Sequence, residues 1–369
     1  MRSLFRRSAL PVALVLSLGA AGACSSSNTT TTTPGGSTAG GTDAPSSGVD
    51  YSTLSGSING SGSTFQASFN EEIIGALKDE APDLTVTYGG GGSGKGKTDL
   101  QEQLVDYAGT DSLVKDEDKA KYKGGDFLYF PTVSAPITVS YNVKGVSELK
   151  LSPSTLAKIF QAEVTKWNDP AIAADNSGAS LPDSNIVVVH RSDGSGTTSN
   201  FTNYLKKATP DWKLDAGDTV QWPSSTQGAQ GSGGMTQAVA STEGSIAYID
   251  YSDAKAKSLS FASIKNKSGT FVAPTLEGAS AAVEKATVKD DLTYSALDTD
   301  GETAYPITSA TYILVYAKQT DATKGKAVKG LLTYILNEGQ GIAKEVDYAK
   351  LPDALRTKAV AQLDKIQVP

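Results

Sequence analysis

One cysteine and one histidine in 369 residues exclude several kinds of chemistry. A lone thiol cannot close an intramolecular disulfide. A single imidazole, with no Cys/His/Asp cluster at ligand spacing, supplies no metal centre. No G-x-S-x-G elbow occurs, and His190 stands directly beside Arg191. Adjacent side chains of an extended strand point to opposite faces, so His190 reads as a structural or supporting group rather than a general base. Positive charge is also in deficit: 33 Lys and Arg against 40 Asp and Glu leave a net charge of −7. No basic face with interleaved aromatics is visible, which argues against a nucleic-acid partner. The three tryptophans, Trp167, Trp212 and Trp222, are expected in packing. The apolar run from Ala9 to Ala21 is too short for a membrane-spanning helix.

That run has a different reading. It follows Arg2, Arg6 and Arg7 and leads into Ala20-Ala21-Gly22-Ala23-Cys24, which is a secretory signal with small residues before the cut. Residues 1–23 are therefore expected to be a signal peptide. Cys24 stands at the lipobox position, where the thiol takes a diacylglycerol and becomes the mature N-terminus, anchoring the protein by lipid to the extracytoplasmic face of the cell membrane. Residues 24–50, rich in Ser, Thr and Gly with almost no apolar side chains, cannot bury a core and read as a flexible tether. Residues 1–23 hold three arginines and no acid, so cleavage takes the net charge from −7 to −10. A chain this acidic must hold any anion by short-range groups: backbone N–H dipoles, hydroxyls and a well-placed arginine.

Such groups occur together in the run IVVVHRSDGSGTTSNF at 186–201. Ile186 to Val189 read as a strand buried on both faces, and Phe201, Tyr204 and Leu205 have the i, i+3, i+4 spacing of a helix. Between them, Gly194 and Gly196 allow close backbone approach, Ser195 and Thr197 add hydroxyls to the free N–H groups of a helix start, and Arg191 supplies a planar fork for two oxygens of one anion. A Gly/Ser turn also serves for plain chain reversal, but the plan is repeated. Gly60-Ser61-Gly62-Ser63-Thr64 precedes Phe65, Phe69, Ile73 and Leu77, an i, i+4 stripe. The alternating strand at 84–88 runs into Gly89-Gly90-Gly91-Gly92-Ser93-Gly94, with Leu100, Leu104 and Val105 expected to mark the next helix. Asp106 to Asp111 then place a carboxylate at a strand end.

The segments GSGSTF (60–65), TYGGGGSGKG (87–96), DYAGTD (106–111), HRSDGSGT (190–197), WPSSTQGAQGSGG (222–234), GSIAYIDY (244–251) and YPITSATYILVY (305–316) together resemble the PstS family, the phosphate-binding proteins of bacterial high-affinity phosphate ABC importers. The resemblance runs from about residue 55 to the end. It implies a two-lobed α/β fold of the type II periplasmic-binding-protein class, with the ligand in the interlobe cleft and two chain crossovers, near 134–136 and 304–306. Lobe one would comprise 51–134 plus 305–369, and lobe two 135–304. It implies inorganic phosphate as ligand, no cofactor, no enzymatic activity, and the importer's membrane permease subunits as partners. The phosphate contacts it carries over are Thr64, Phe65, Ser93, Asp111, Arg191, Ser195, Gly196 and Thr197, with Asp193 beside the arginine. Lys95 and Lys97 depart from the pattern, in which small or apolar residues are usual.

Two points remain open on the sequence alone. Gly91 to Thr98 match G-x-x-x-x-G-K-[ST], so a P-loop nucleotidase is the alternative, with Lys97 on the phosphates and Thr98 on a magnesium ion. The choice of anion turns on Asp111. A carboxylate accepts hydrogen bonds and cannot donate them, so it suits phosphate, which keeps a proton near neutral pH, and opposes fully deprotonated sulfate.

Overall fold

The computed structural model describes residues 45–369. The signal peptide, Cys24 and the tether as far as residue 44 lie outside the described residues. The chain opens with β1 (Gly56–Gly62), α1 (Ala67–Glu80), β2 (Leu84–Gly90), α2 (Ser93–Gln101), β3 (Tyr107–Thr110) and α3 (Asp116–Lys119). The long β4 (Phe127–Asn142) leads to β5 (Lys150–Leu151), α4 (Pro153–Phe160), α5 (Pro170–Asp175), β6 (Val187–Arg191), α6 (Gly196–Ala208), β7 (Gln227–Ala229), α7 (Gly231–Ser241) and β8 (Ser245–Asp250). There follow α8 (Tyr251–Ala256), β9 (Ser260–Phe261), β10 (Ser263–Lys265), β11 (Phe271–Val272) and α9 (Leu276–Glu284). The chain closes with β12 (Thr308–Tyr316), α10 (Ala322–Leu336), α11 (Gly339–Ile342) and α12 (Asp353–Gln362).

One open mixed sheet runs β2-β1-β3-β12-β4-β8-β6-β7, with β9 also on β4, and a small sheet β11-β10-β5 stands apart. Strand β1 lies parallel to β2 and β3, and β6 lies parallel to β7 and β8. In both parallel sections strands alternate with helices, the pattern of an α/β fold. They are joined by β4, whose first part, Phe127 to Pro136, pairs antiparallel with β12 and whose second, Ile137 to Asn142, pairs antiparallel with β8. The change of partner falls at a proline, which has no N–H to contribute to a ladder. The second crossing segment passes beside the first: Ile137 N–H donates to Ile307 O at 2.7 Å and Tyr305 Oη to Ile137 O at 3.0 Å.

Helix α1 buries the expected stripe Phe69, Ile73 and Leu77, and α6 buries Phe201, Tyr204 and Leu205. Two details differ from the sequence reading. Helix α2 ends at Gln101: Gln103 turns to φ 58° and Leu104 is solvent-exposed, so Leu104 and Val105 lie beyond the helix rather than on its inner face. The composition also assigns Ser47 to the tether, yet Ser47 N and Oγ both donate to Glu338 Oε1, at 2.8 and 2.7 Å, because one carboxylate supplies what a polar segment cannot find in a core.

Gly62, at the end of β1, has φ 136°, and a Cβ there would sit 2.1 Å from Gly109 O on β3. Gly62→Ala is expected to cost about 2 kcal/mol or more, through both backbone strain and the clash, read as a fall in the urea midpoint with an unchanged slope.

Candidate functional site

Three strand-to-helix turns converge. Thr64 and Phe65 lead into α1, Ser93 is the first residue of α2, and Ser195 caps α6, its Oγ accepting from Thr198 N, with Gly196 and Thr197 in the first turn. First-turn N–H groups have no acceptor within their own helix, and the aligned peptide dipoles make these ends positive. The approach is close enough to exclude side chains. A Cβ on Gly196 would lie 2.4 Å from Ser93 Oγ and 2.8 Å from Asp111 Oδ2, and one on Gly92 would lie 2.5 Å from Asp193 Oδ2 and 3.3 Å from Arg191 Nη2. Thr64 Cγ2 lies 3.2 Å from where a Cβ on Gly90 would be. The structure thus gathers Thr64, Ser93, Asp111, Arg191, Asp193, Ser195, Gly196 and Thr197 in one place. Phe65 offers only its backbone, since its ring is fully buried in the core.

Arg191 is buried, and its Nε and Nη2 donate to the two carboxylate oxygens of Asp193, the first at 2.6 Å. No hydrogen bond from Nη1 is found among the described residues, so its donors are not taken by Asp193. Asp193 also accepts from Gly231 N, at the start of α7, at 3.1 Å. Burial pushes its carboxyl up, but the Arg191 guanidinium and the N–H donors prevail and hold it below its ordinary value. Asp111 Oδ2 accepts from Ser63 Oγ at 2.6 Å and Ser93 Oγ at 3.3 Å, and Oδ1 accepts from Thr311 Oγ1 at 2.6 Å. Burial raises this carboxyl to about 6, against the opposing pull of the three hydroxyls and Arg191. Thr197 Oγ1 is buried with no hydrogen-bond partner among the described residues, a state that calls for an explanation.

Several residues here were not picked out by sequence. Ser63 lies inside a motif that was read only as a helix start. Thr311 comes from β12, 200 residues from Asp111, and Gln66 Nε2 donates to it at 2.6 Å. Tyr88 Oη donates to Ser63 O at 2.8 Å and so fixes the peptide plane that carries the Thr64 N–H. Ser232, on α7, meets Thr64: its N–H donates to Thr64 Oγ1 at 3.1 Å and the two hydroxyls are 2.9 Å apart. The patterns that could flag these groups are tertiary contacts, which periodicity does not encode.

The nucleotidase alternative finds no support. Helix α2 starts at Ser93, so Gly94 to Thr98 are helical instead of forming a phosphate nest. Thr98 Oγ1 donates back to Gly94 O at 3.0 Å, and Lys97 Nζ is engaged by Ser112 and Asp218. His190 stacks on Trp222 with ring centroids 5.1 Å apart and places Nδ1 3.0 Å from Arg191 O. Burial lowers its pKa. The tryptophans pack, Trp167 donating from Nε1 to Gly244 O at 3.1 Å.

Residues 28–338 match the PBP superfamily domain. The chain is 37% identical over 283 residues to the phosphate-binding protein PstS of Pasteurella multocida, covering 75% of this chain and 81% of that protein. It is 35% identical over 325 residues to phosphate-binding protein PstS 3 of Mycobacterium leprae, covering 85% and 88%. Among solved structures, a high-affinity periplasmic phosphate-binding protein (PfluDING) bound with phosphate superposes with a TM-score of 0.69 at 22% identity, covering 83% of this chain and 94% of that one. A putative phosphate ABC transporter substrate-binding protein with bound phosphate from Clostridium perfringens gives a TM-score of 0.60 at 20% identity, covering 80% and 100%. Both likenesses establish the fold.

The raised Asp111 carboxyl links stability to pH. The folded protein binds this proton more tightly than the unfolded chain, so the favourable contribution is complete below the ordinary carboxylate range and is lost as pH rises through about 6. Asp111→Asn is therefore expected to raise the stability of the ligand-free protein at pH 7.5, by on the order of 2 kcal/mol, and to raise it less at pH 5. Paired denaturation curves at the two pH values check this.

Proposed function

The chain belongs to the PstS family of phosphate-binding proteins, and from that premise we propose that it is an extracytoplasmic receptor that captures inorganic phosphate and delivers it to an ABC-type phosphate importer. The observation that carries the reading is the buried, unpartnered Thr197 hydroxyl, set in the first turn of α6 beside a buried arginine and two further helix starts. A small anion with oxygens on every side satisfies all of them at once.

In this reading the N–H groups of Thr64, Phe65, Ser93, Gly196 and Thr197 and the hydroxyls of Thr64, Ser195 and Thr197 donate to phosphate oxygens, the Ser93 hydroxyl staying on Asp111. The free edge of Arg191 adds a charge-assisted bond. Phe65 N–H now rests on Ser63 Oγ at 3.0 Å, a bond the anion would share or replace. A carboxylate has about four acceptor positions, and Asp111 uses three on hydroxyls, which leaves one for the phosphate proton. Fixed dipoles of this kind hold an anion in an acidic protein without bulk charge. The one imidazole is occupied in packing Trp222, so the site is equipped to capture and not to break bonds.

Thr64, Phe65, Ser93 and Asp111 would stand on lobe one (51–134 plus 305–369) and Arg191 to Thr197 on lobe two (135–304). The anion would bridge the cleft, and the closed form would be read by the permease subunits. The lipid on Cys24 would keep the receptor at the membrane surface.

Calorimetric titration with phosphate and sulfate tests the reading. Wild type is expected to bind phosphate and discriminate against sulfate. Arg191→Ala should lose about a hundredfold or more in affinity, from charge-assisted bonds worth about 1.5–3 kcal/mol each, with no loss of fold by circular dichroism. Asp111→Asn should narrow the phosphate-to-sulfate ratio, since its amide can turn a donor toward an unprotonated oxygen; a ratio that holds or widens would remove Asp111 as the discriminating group.

A further inference from the structure

We propose that Lys97 and Asp218 form an ion-pair latch at the mouth of the cleft, made only in the closed protein, that slows escape of the bound anion. The inference rests on the two-lobed reading above. Lys97 Nζ lies 2.7 Å from Asp218 Oδ2, and the two side chains are only 16% and 22% exposed. A second Nζ donor goes to Ser112 Oγ at 2.8 Å, next in sequence to Asp111. Lys95, the other cation of the same helix, pairs within α2 with Asp99 and bridges nothing.

Each end of the pair is tied directly to an anion-facing group. Lys97 sits one helical turn after Ser93 on α2, so it moves with that residue. Asp218 O accepts the N–H of Ser195, the cap of α6, at 2.9 Å, so its loop moves with the α6 start. Opening the cleft between α2 and α6 therefore separates the charges. A cavity of about 930 Å³ opens beside the pair, with Lys97, Asp111, Asn200 and Asp218 among the residues that line it, and an anion leaving Asp111 through this cavity would pass the pair. Asn200 Nδ2 donates across the same gap to Asp111 O at 2.6 Å, and Gly94 N donates to Gly194 O at 3.0 Å. Closure thus already brings the backbones together at this point, and the ion pair forms without further ordering of the main chain.

A second ion pair between the halves serves as the internal control. Lys255 Nζ is 2.6 Å from Asp347 Oδ1, but Asp347 is two residues from Ala349, which bridges to Ser134 where the strands cross. Close to the crossing, hinge opening changes the separation little, so this pair should not govern release.

Phosphate dissociation is measured by stopped flow for the full-length mature domain and for Lys97→Ala, Asp218→Asn, the double variant, the reversed pair Lys97→Asp with Asp218→Lys, and Lys255→Ala. Each latch variant is expected to speed release by about threefold to tenfold, as for a partly buried pair, with association little changed. The double variant should be no faster than the singles, the reversed pair should recover part of the loss, and Lys255→Ala should match wild type. Independent, multiplying effects of the two single changes, or unchanged release in both, would overturn the latch. Wild type that fails to bind phosphate would instead sink the preceding reading. Ionic strength then tests the charge itself: rising salt should speed release from wild type more than from Lys97→Ala, and an equal salt dependence overturns the latch.

Discussion

The site depends on main chain coming within less than a side chain's width of main chain. A Cβ on Gly96 would lie 2.6 Å from Gly62 Cα, and one on Gly94 would lie 3.1 Å from Gly194 Cα. Only with those positions bare can the starts of α1, α2 and α6 point their N–H groups into one small volume. The hydroxyls, Arg191 and Asp111 work within the space that this approach defines. Electrostatics follows from sterics here, because a dipole contributes strongly only at short range and away from water.

The arrangement works against stability in the absence of ligand. Asp111 is a buried carboxylate whose ionisation is resisted, and Thr197 keeps a buried hydroxyl without a partner. Both are unfavourable in the isolated fold, and in the proposed reading a protonated oxyanion would supply a donor to one and an acceptor to the other. The Asp193 carboxylate, by contrast, is satisfied already: Arg191 and the Gly231 N–H engage it, so the guanidinium is oriented before any ligand arrives.

What could be read from sequence were local patterns. The stripe Phe69, Ile73, Leu77 and the run Phe201, Tyr204, Leu205 are periodic, and the hydroxyl-rich turns before them are short-range signals, so both the helices and the turns of the candidate site were legible there. The chain beyond α2 was misjudged because Leu104 continues the apolar spacing, while the positive φ of Gln103 that ends the helix leaves no mark in composition. Ser63, Tyr88, Thr311 and Ser232 escaped for a different reason. Their roles are set by partners that lie far off in sequence, up to 245 residues away for the Gln66 to Thr311 bond next to them. Lys97 was legible only as part of the P-loop alternative and as a departure from the family pattern, and its pairing with Asp218, 121 residues on, is a tertiary contact that neither reading encodes.

Strand β12 sits between β3 and β4 in the middle of the sheet, joined to β3 by the register Tyr312 with Thr110. Its residues enter the chain some 200 positions after those they contact at Asp111. Separations of this size make folding slow, since a long loop must close before any contact rewards it. The first half of the sheet therefore has a gap at its centre until nearly the whole polypeptide exists. A chain being made, or threaded through a pore from its N-terminus, cannot assemble the carboxylate's surroundings early. The topology keeps that half of the sheet unfinished until β12 is available.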